Sequence, residues 1–387
     1  MTARRAYLDF NASAPLIAEA RAAMLAALDA GGNASSVHGE GRAARRLVES
    51  ARRDVAALVG ANPAHVVFTS GATEAATTLL TPDWRMGRAP LWMSRLFVCA
   101  ADHPCLLSGG RFAPSDVSVF GVDQNGIADL VDLEAMLAGH DRTSGLPLVA
   151  IHAANNETGV IQPIAEIARI VKAAGGVLVV DAVQAAGRIA LDVSVGWGDF
   201  LILSSHKIGG PQGAGAFVGV SDLMMPVPLV RGGGQEKGHR AGTENVAAIA
   251  GFGAAARIAR ERLGGMDAVA TFRDTLEASI RELVPDATIF GAGAPRLANT
   301  TFFTIPGTKA ETAQIAFDLA GVALSAGSAC SSGRVGPSHV LKAMGFGDNE
   351  SALRVSIGHS TTRDDIELFR SALADIVARH LEATRAA

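Results

Sequence analysis

Lys207 is the first residue of this chain whose type and position point to chemistry. It follows the apolar run "DFLILSSH" and is itself followed by glycines, so its amine stands at the carboxyl end of a predicted strand. A lysine beside apolar residues loses part of its hydration, which lowers the pKa of its ammonium group and suits it to forming a Schiff base. On spacing alone, a solvated loop lysine is the simpler interpretation.

A carboxylate ends another apolar run upstream of this lysine. The run is "GVLVVDAVQ", in which Asp181 ends the predicted strand and Gln184 follows one turn later. A carboxylate in this position can cap the next helix. It can also pair with the pyridine nitrogen of pyridoxal phosphate, whose protonated ring is an electron sink. The sequence leaves both interpretations open.

Two more predicted strands end in polar residues. The run "HVVFTS" leads into "GATEAA", where the free amides of a helix start and the Thr73 hydroxyl are suited to a phosphate. An ordinary helix start is the alternative. The run "LVAIHAANN" ends in Asn155 and Asn156. Ligands of open parallel sheets bind beyond the carboxyl ends of the strands, so these four strand ends predict one shared site.

The elements that must position these residues alternate along the chain. From about residue 42, helical stretches alternate with short runs rich in Val, Ile and Leu, which are typical of strands covered on both faces. This pattern predicts an α/β fold with a mostly parallel sheet flanked by helices. After "AIAGFGAAARIARERLGG" the pattern changes to a long helix, the strand "NTTFFTIP", a helix, the strand "ALRVSIG" and a last helix. We therefore expect a large domain at 15–255 and a small α+β domain from 1–14 and 256–387.

Composition excludes several classes of protein. Of 387 residues, 49% are hydrophobic, and 34 Lys and Arg against 38 Asp and Glu give a net charge of -4 without a basic stripe, so nucleic acid is not an expected partner. No run of 18 apolar residues is present, and Asp9 interrupts the start of the chain, so we expect no membrane segment and a cytoplasmic location. Three cysteines without framework spacing predict reduced thiols.

Cys330 stands in the unusual segment "SAGSACSSGRVG", among small residues and near Gly327, Gly333 and Gly336. An incidental cysteine in a loop is the simpler interpretation, and an accessible, reactive thiol is the other. Cys99 is expected in the core, and Cys105 is expected to be a small buried residue, with a second reactive thiol as the alternative. Zinc binding by Cys99, His103 and Cys105 is not expected, because no fourth ligand lies nearby.

Taken together, the motifs resemble those of the cysteine desulfurases, within the aminotransferase class V group of fold-type I pyridoxal phosphate enzymes. The chain departs from the usual wording at "FNASAP" and "DHPCLL". The motifs that carry the resemblance cover nearly the whole chain: "YLDFNASAP", "GNASSVHGEGRAAR", "VVFTSGATEA", "DHPCLL", "HAANNETGVIQPI", "DAVQ", "SSHKIGGPQGAGAF", "RGGGQEKGHRAGTENV", "SAGSACSSG" and "LRVSIGHSTT".

The resemblance implies a large domain with a seven-stranded sheet and roles for the residues around the cofactor. Lys207 would bind pyridoxal 5'-phosphate as a Schiff base, and Asp181 would pair with its pyridine nitrogen. His103 would stack on the ring and assist proton transfer, while Gln184 would hydrogen-bond the ring hydroxyl. Asn155 would contribute near the ring. The phosphate would be held by Ala72, Thr73, Ser204 and His206.

The resemblance also implies a substrate and partners. Arg354 would bind the carboxylate of L-cysteine in a bidentate pair, with Asn155 nearby. Thr243 would reach the phosphate in the neighbouring subunit, which implies a homodimer. Cys330 would take the sulfur as a persulfide, release L-alanine and pass the sulfur to an acceptor protein such as an iron-sulfur scaffold. The wording around Cys330 resembles the group with the longer loop.

Two alternatives to this reaction remain. A selenocysteine lyase or a small-amino-acid aminotransferase would use Lys207 and Asp181 without needing Cys330. A regulatory or scaffold protein that kept the fold would bind no cofactor and show no visible absorbance.

Overall fold

The computed structural model describes residues 4–327, 338–347 and 350–386, with side chains up to residue 379. Its strands are β1 (Ala6–Tyr7), β2 (Val66–Thr69), β3 (Asp83–Met86), β4 (Ala89–Cys99), β5 (Val117–Phe120), β6 (Leu146–His152), β7 (Val177–Asp181), β8 (Phe200–Ser204), β9 (Gly215–Gly219), β10 (Met224–Pro226), β11 (Thr300–Thr304), β12 (Val322–Ala323), β13 (Ser325–Ala326) and β14 (Ala352–Ser356). Its helices are α1 (Ala18–Ala30), α2 (Gly39–Leu58), α3 (Ala72–Leu79), α4 (Pro104–Leu107), α5 (Leu130–Ala138), α6 (Ile164–Ala173), α7 (Val246–Arg262), α8 (Met266–Leu283), α9 (Ala310–Leu319), α10 (His339–Ala343) and α11 (Arg363–Ala386).

The largest sheet has the order β10-β3-β4-β6-β7-β8-β9-β2, with β5 also paired to β4. Strands β5, β4, β6, β7 and β8 are parallel, and β9 is antiparallel to both of its neighbours. The α/β fold with a mostly parallel sheet is confirmed, but the described part of this sheet has nine strands where the resemblance implied seven. Strands β3 and β10 extend the sheet in antiparallel fashion from the first half of the long strand β4.

Burial on both faces explains why the central strands read as continuous apolar runs. Along β6, Val149 and Ile151 pack into one hydrophobic cluster, while Leu148 and Ala150 pack into another on the opposite face. Successive side chains of a strand point to opposite faces, so a strand covered on both sides needs apolar residues at every position.

The strand register places polar residues at one edge of this sheet. His152, the last residue of β6, pairs with Asp181, the last residue of β7, and Asp181 in turn pairs with Ile202 near the end of β8. Parallel strands of similar length therefore end side by side, and the loops that follow them meet.

A smaller antiparallel sheet, β11-β14-β13, forms the second unit of packing. Its core gathers residues from both ends of the chain, among them Leu8, Leu276, Phe317 and Phe369. The boundaries at 15–255 and 256–387 stay predictions. No helix in the described part of the chain is both long and apolar enough to cross a membrane.

Candidate active site

A cavity of about 520 Å³ lies at the carboxyl ends of the central strands. It brings together eight of the residues that the sequence proposed for the site: Ala72, Thr73, His103, Asp181, Gln184, Ser204, His206 and Lys207. Residues that are more than a hundred positions apart in the sequence thus line one cavity at this edge of the sheet.

Lys207 is half-buried in the turn after β8, and backbone carbonyls near the start of the chain hold its amine. Its Nζ donates to the carbonyl oxygen of Asn11 at 2.6 Å and to that of Ala12 at 2.9 Å. Asn11 is itself buried, and its side chain is fixed by Asn156 and Asn299. A rigid pair of acceptors thus holds the amine at the wall of the cavity.

Asp181 is buried at the end of β7 with few partners. One carboxylate oxygen accepts a hydrogen bond from the amide of Val183 at 3.0 Å. Burial raises the pKa of Asp181 to about 6, because the charged form loses hydration. Within the residues that the structure describes, no cation lies within ion-pair distance of this carboxylate. The site therefore holds an acidic group that a cationic ligand atom would complete.

The first turn of α3 forms the opposite wall. Its start is held close to the sheet, because a Cβ added at Gly215 on β9 would lie 2.7 Å from the Cα of Gly71. Amides at a helix start carry a partial positive charge and favour anions. Ser204 and His206 face the same cavity, and the His206 ring lies 3.3 Å from the Ser13 hydroxyl. Burial, and next the charge of Lys207, lower the pKa of His206 to about 4.

His103 precedes α4 and is positioned by its backbone contacts. Its Nδ1 accepts a hydrogen bond from the amide of Cys105 at 3.2 Å, so the neutral ring carries its proton on Nε2. Burial, then the charge of Lys207, lower the pKa of His103 to about 4. Cys105 also lines the cavity, but burial raises the pKa of its thiol, which favours the unreactive interpretation.

A hydrogen-bonded cluster that the sequence did not reveal lies beneath the cavity. The Asp102 carboxylate accepts from the amide of Cys99 at 2.8 Å, from the amide of His152 at 2.8 Å and from the His152 ring at 2.6 Å. Gln162 contacts the other ring nitrogen of His152 at 3.0 Å. Asp102 and Cys99 also lie close enough to His152 to share a metal ion, whereas the trio weighed from the sequence does not form such a group within the described residues.

Three residues proposed from the sequence, Asn155, Thr243 and Arg354, do not line the cavity. Asn155 is buried, and its side chain bonds the carbonyl of Ala101 and the amides of Glu157 and Thr158. Thr243 is exposed in the loop before α7. Cys330 lies outside the described residues, as does most of the segment from which the longer loop was inferred.

Arg354 is the third, and it is buried on β14 beside the cavity. It donates to the Asp9 carboxylate at 2.8 Å and to the Asn156 carbonyl at 3.1 Å. Because Asn156 lines the cavity, one residue separates this guanidinium from the space around Lys207.

The residues present fit pyridoxal phosphate. A lysine amine, a buried carboxylate with no cation within ion-pair distance among the described residues, and a helix start flanked by hydroxyl and imidazole groups match the cofactor's aldehyde, ring nitrogen and phosphate.

The chain belongs to the aminotransferase class-V family, which it matches over residues 6–369. Within this family it is 39% identical to a cysteine desulfurase of Frankia sp. (strain EuIK1), covering 96% of this chain and 90% of that protein. It is 38% identical to a cysteine desulfurase of Cereibacter sphaeroides, covering 96% of each. The solved structure of a NifS-like protein from Rickettsia africae has a TM-score of 0.86 at 34% identity, covering 96% of this chain and 99% of that chain. The resemblance read from the motifs is confirmed.

Proposed function

We propose that this protein is a pyridoxal phosphate-dependent cysteine desulfurase that converts L-cysteine to L-alanine and carries the released sulfur on Cys330. The observation that supports this most is that one cavity holds both the Lys207 amine and the buried carboxylate of Asp181, which has no cation within ion-pair distance among the described residues. The full-length similarity to cysteine desulfurases supports the same reaction.

Each residue of the cavity has a proposed part in holding the cofactor. Lys207 binds it covalently, Asp181 keeps its ring nitrogen protonated, and the first turn of α3 with Ser204 and His206 holds its phosphate. His103, neutral at pH 7, covers the ring and moves protons near the substrate. The bound group supplies an electron sink that weakens bonds at the substrate's Cα and Cβ.

Arg354 is the proposed partner of the substrate carboxylate. The Asp9 carboxylate and the Asn156 carbonyl already hold its guanidinium in place, so little conformational entropy is lost when substrate arrives. Asn155 acts indirectly in this arrangement, since its amide fixes the turn that carries Asn156.

The sulfur step is proposed to take place at Cys330. Its thiolate attacks the sulfur of bound cysteine, a sulfur–sulfur bond forms, and the Cβ–sulfur bond breaks with its electron pair left on carbon. A proton added at that carbon completes alanine. Only the thiolate is nucleophilic, so Cys330 must reach the cavity deprotonated.

The partners are proposed from the resemblance to cysteine desulfurases. Thr243, exposed before α7, is available to a second subunit, which is consistent with a homodimer that shares its sites. A sulfur-acceptor protein, such as one for iron-sulfur cluster assembly, would then collect the persulfide. A cytoplasmic location remains part of this proposal.

Mass analysis after incubation with L-cysteine tests the proposal. We expect the protein to gain one sulfur atom on Cys330 and to release alanine. Cys330→Ala should do neither, whereas Cys105→Ala and Cys99→Ala should still form the persulfide. Alanine formation that is undiminished in Cys330→Ala would point instead to the lyase alternative. A purified protein that binds no pyridoxal phosphate, even after reconstitution, would contradict the proposal altogether.

A further inference from the structure

Gln184 presents its side-chain amide to the cavity in a fixed orientation. The amide oxygen, Oε1, accepts a short hydrogen bond from Nη1 of Arg188, one turn further along the chain. The same Nη1 also donates to the Gln184 backbone carbonyl at 3.0 Å. A guanidinium has only donors, so the atom that faces Arg188 must be the oxygen and the amide nitrogen must point the other way.

The amide nitrogen of Gln184 has one bond to the protein. Nε2 donates to the Asn11 carbonyl at 3.1 Å, the same oxygen that accepts from the Lys207 amine. An amide nitrogen carries two hydrogens. One N–H therefore remains for the cavity that Gln184 lines.

Arg188 is an unusual residue to find behind this amide, because its charged side chain is buried. Its exposed fraction is 9%, and within the described part of the chain no carboxylate lies within ion-pair distance. Burial, then the charge of Arg354, lower the pKa of Arg188 to about 9, so the guanidinium stays protonated at neutral pH. A buried guanidinium with no counter-ion among the described residues is costly, and its hydrogen bonds to Gln184 offset part of that cost.

We propose that Arg188 is a positioning residue for the cofactor: it locks the Gln184 amide so that an N–H, and never the oxygen, faces the ring hydroxyl. This rests on the proposed function, since it assumes pyridoxal phosphate in the cavity. The locked donor and the positive charge behind it both stabilise the deprotonated ring oxygen. Both therefore lower the pKa at which the bound cofactor's visible absorbance titrates.

Absorbance titration of the reconstituted holoenzyme tests this. In Arg188→Met the amide of Gln184 is free to turn and the charge is lost, so we expect the ionisation constant of the bound chromophore to fall about three- to tenfold. Arg188→Lys keeps a charged donor and should recover at least half of that shift. Arg262→Met is the matched control, because Arg262 lines the adjoining cavity with Arg188 but does not contact Gln184; it should titrate as the wild type does.

A second variant tests whether Arg188 acts through Gln184. Gln184→Met removes the donor, and the double variant Arg188→Met, Gln184→Met should shift the titration by less than the sum of the two single changes. Strict additivity would overturn the inference, as would a Lys variant that shifts as far as Met. If Arg188→Met does not fold, Arg188→Gln replaces it, because a glutamine at 188 accepts either orientation of the Gln184 amide. The pKa of the chromophore should then shift in the same direction, and an unchanged pKa would overturn the inference.

The two proposals fail in different ways. A wild-type protein without a visible band contradicts the proposed function. A wild-type band that titrates identically in Arg188→Met leaves the proposed function intact and contradicts only the role of Arg188.

Discussion

Asp181 and Glu236 are two buried carboxylates with opposite surroundings. Glu236 accepts from both terminal nitrogens of Arg52 at 2.7 Å and from the amide of Phe68 at 2.9 Å. Asp181 accepts, among the described contacts, one hydrogen bond from an amide. The fold neutralises the first charge internally and leaves the second one for something that enters the cavity.

The backbone conformation at Glu236 indicates what its ion pair stabilises. Glu236 and Lys237 have φ angles of 47° and 55°, a region that residues other than glycine rarely adopt. The bidentate contact with Arg52, which also lies over the Phe68 ring, compensates this strain and anchors the loop that leads to Arg240 and Thr243. A saturated carboxylate thus indicates a structural role, and an unsaturated one indicates a binding role.

Of the substitutions that test this comparison, Arg52→Met should change the free energy of unfolding most. It leaves Glu236 buried without its cation, and we expect a loss of about 3–5 kcal/mol in the free energy of unfolding. Urea unfolding of the apoprotein measures it. The control is the double variant Arg52→Met, Glu236→Met. It leaves neither charge of the pair buried, so it should recover much of the lost stability. If the double variant is as unstable as the single one, the cost comes from packing and the contrast with Asp181 weakens.

Asp181→Asn should raise the free energy of unfolding, whereas Arg52→Met lowers it. Burial raises the pKa of Asp181 from its ordinary value to about 6, so the folded apoprotein holds this proton more tightly than the unfolded chain does. The wild type therefore loses stability as pH rises between about pH 4 and pH 6, and the Asn variant does not. Above that interval we expect the variant apoprotein to be more stable by about 2–3 kcal/mol, and near pH 4 the difference should vanish.

The control for this prediction is a saturated carboxylate near the same cavity. Asp102→Asn disrupts contacts to Cys99 and His152 and should destabilise the apoprotein throughout the pH range. Asp181→Asn should also weaken cofactor binding, measured by equilibrium dialysis. An Asn variant that is less stable than the wild type at pH 8 would show that Asp181 is structural like Glu236.

The contrast also explains which parts of the site the sequence could predict. Asp181 ends an apolar run and Lys207 closely follows another, so the sequence predicts that both lie at the edge where the carboxyl ends of parallel strands meet. Asn11 was not recognised, since its part is played by a backbone carbonyl, 196 positions from Lys207 along the chain, which any residue type supplies. That Arg188 has no carboxylate within ion-pair distance among the described residues is equally invisible in the sequence, because it depends on how the fold packs.

In the fold too, short sequence patterns predict some features, whereas others depend on contacts between distant residues. Apolar runs predict the buried central strands, but they do not predict β3, in which three of four residues are exposed, or β10, which has only three residues and contains Pro226. The neighbours Asn155 and Asn156 look alike in sequence. Only the packed turn shows that the first bonds backbone groups with its amide while the second lines the cavity.

The smallest expected effect on stability is that of the Arg240–Glu74 ion pair, which joins the loop after Glu236 to the wall of the cavity. Arg240, in the loop anchored by Glu236, donates to Glu74 on α3 at 3.0 Å, and Glu74 also accepts from the amide of Ser70 at the edge of the cavity. Both side chains keep some exposure to water, so we expect Arg240→Ala to cost only about 0.5–1 kcal/mol in unfolding experiments.

A double-mutant cycle with Glu74→Gln, measured at low and high salt, isolates this pair. Screening should reduce a coupling between partly exposed charges. A coupling well above 1 kcal/mol that salt does not change would mean that the anchored loop and the cavity wall behave as one buried unit. In that case the distinction between a structural and a binding carboxylate would hold for the two residues but not for the regions that contain them, because loss of the Glu236 anchor would then disturb the cavity itself.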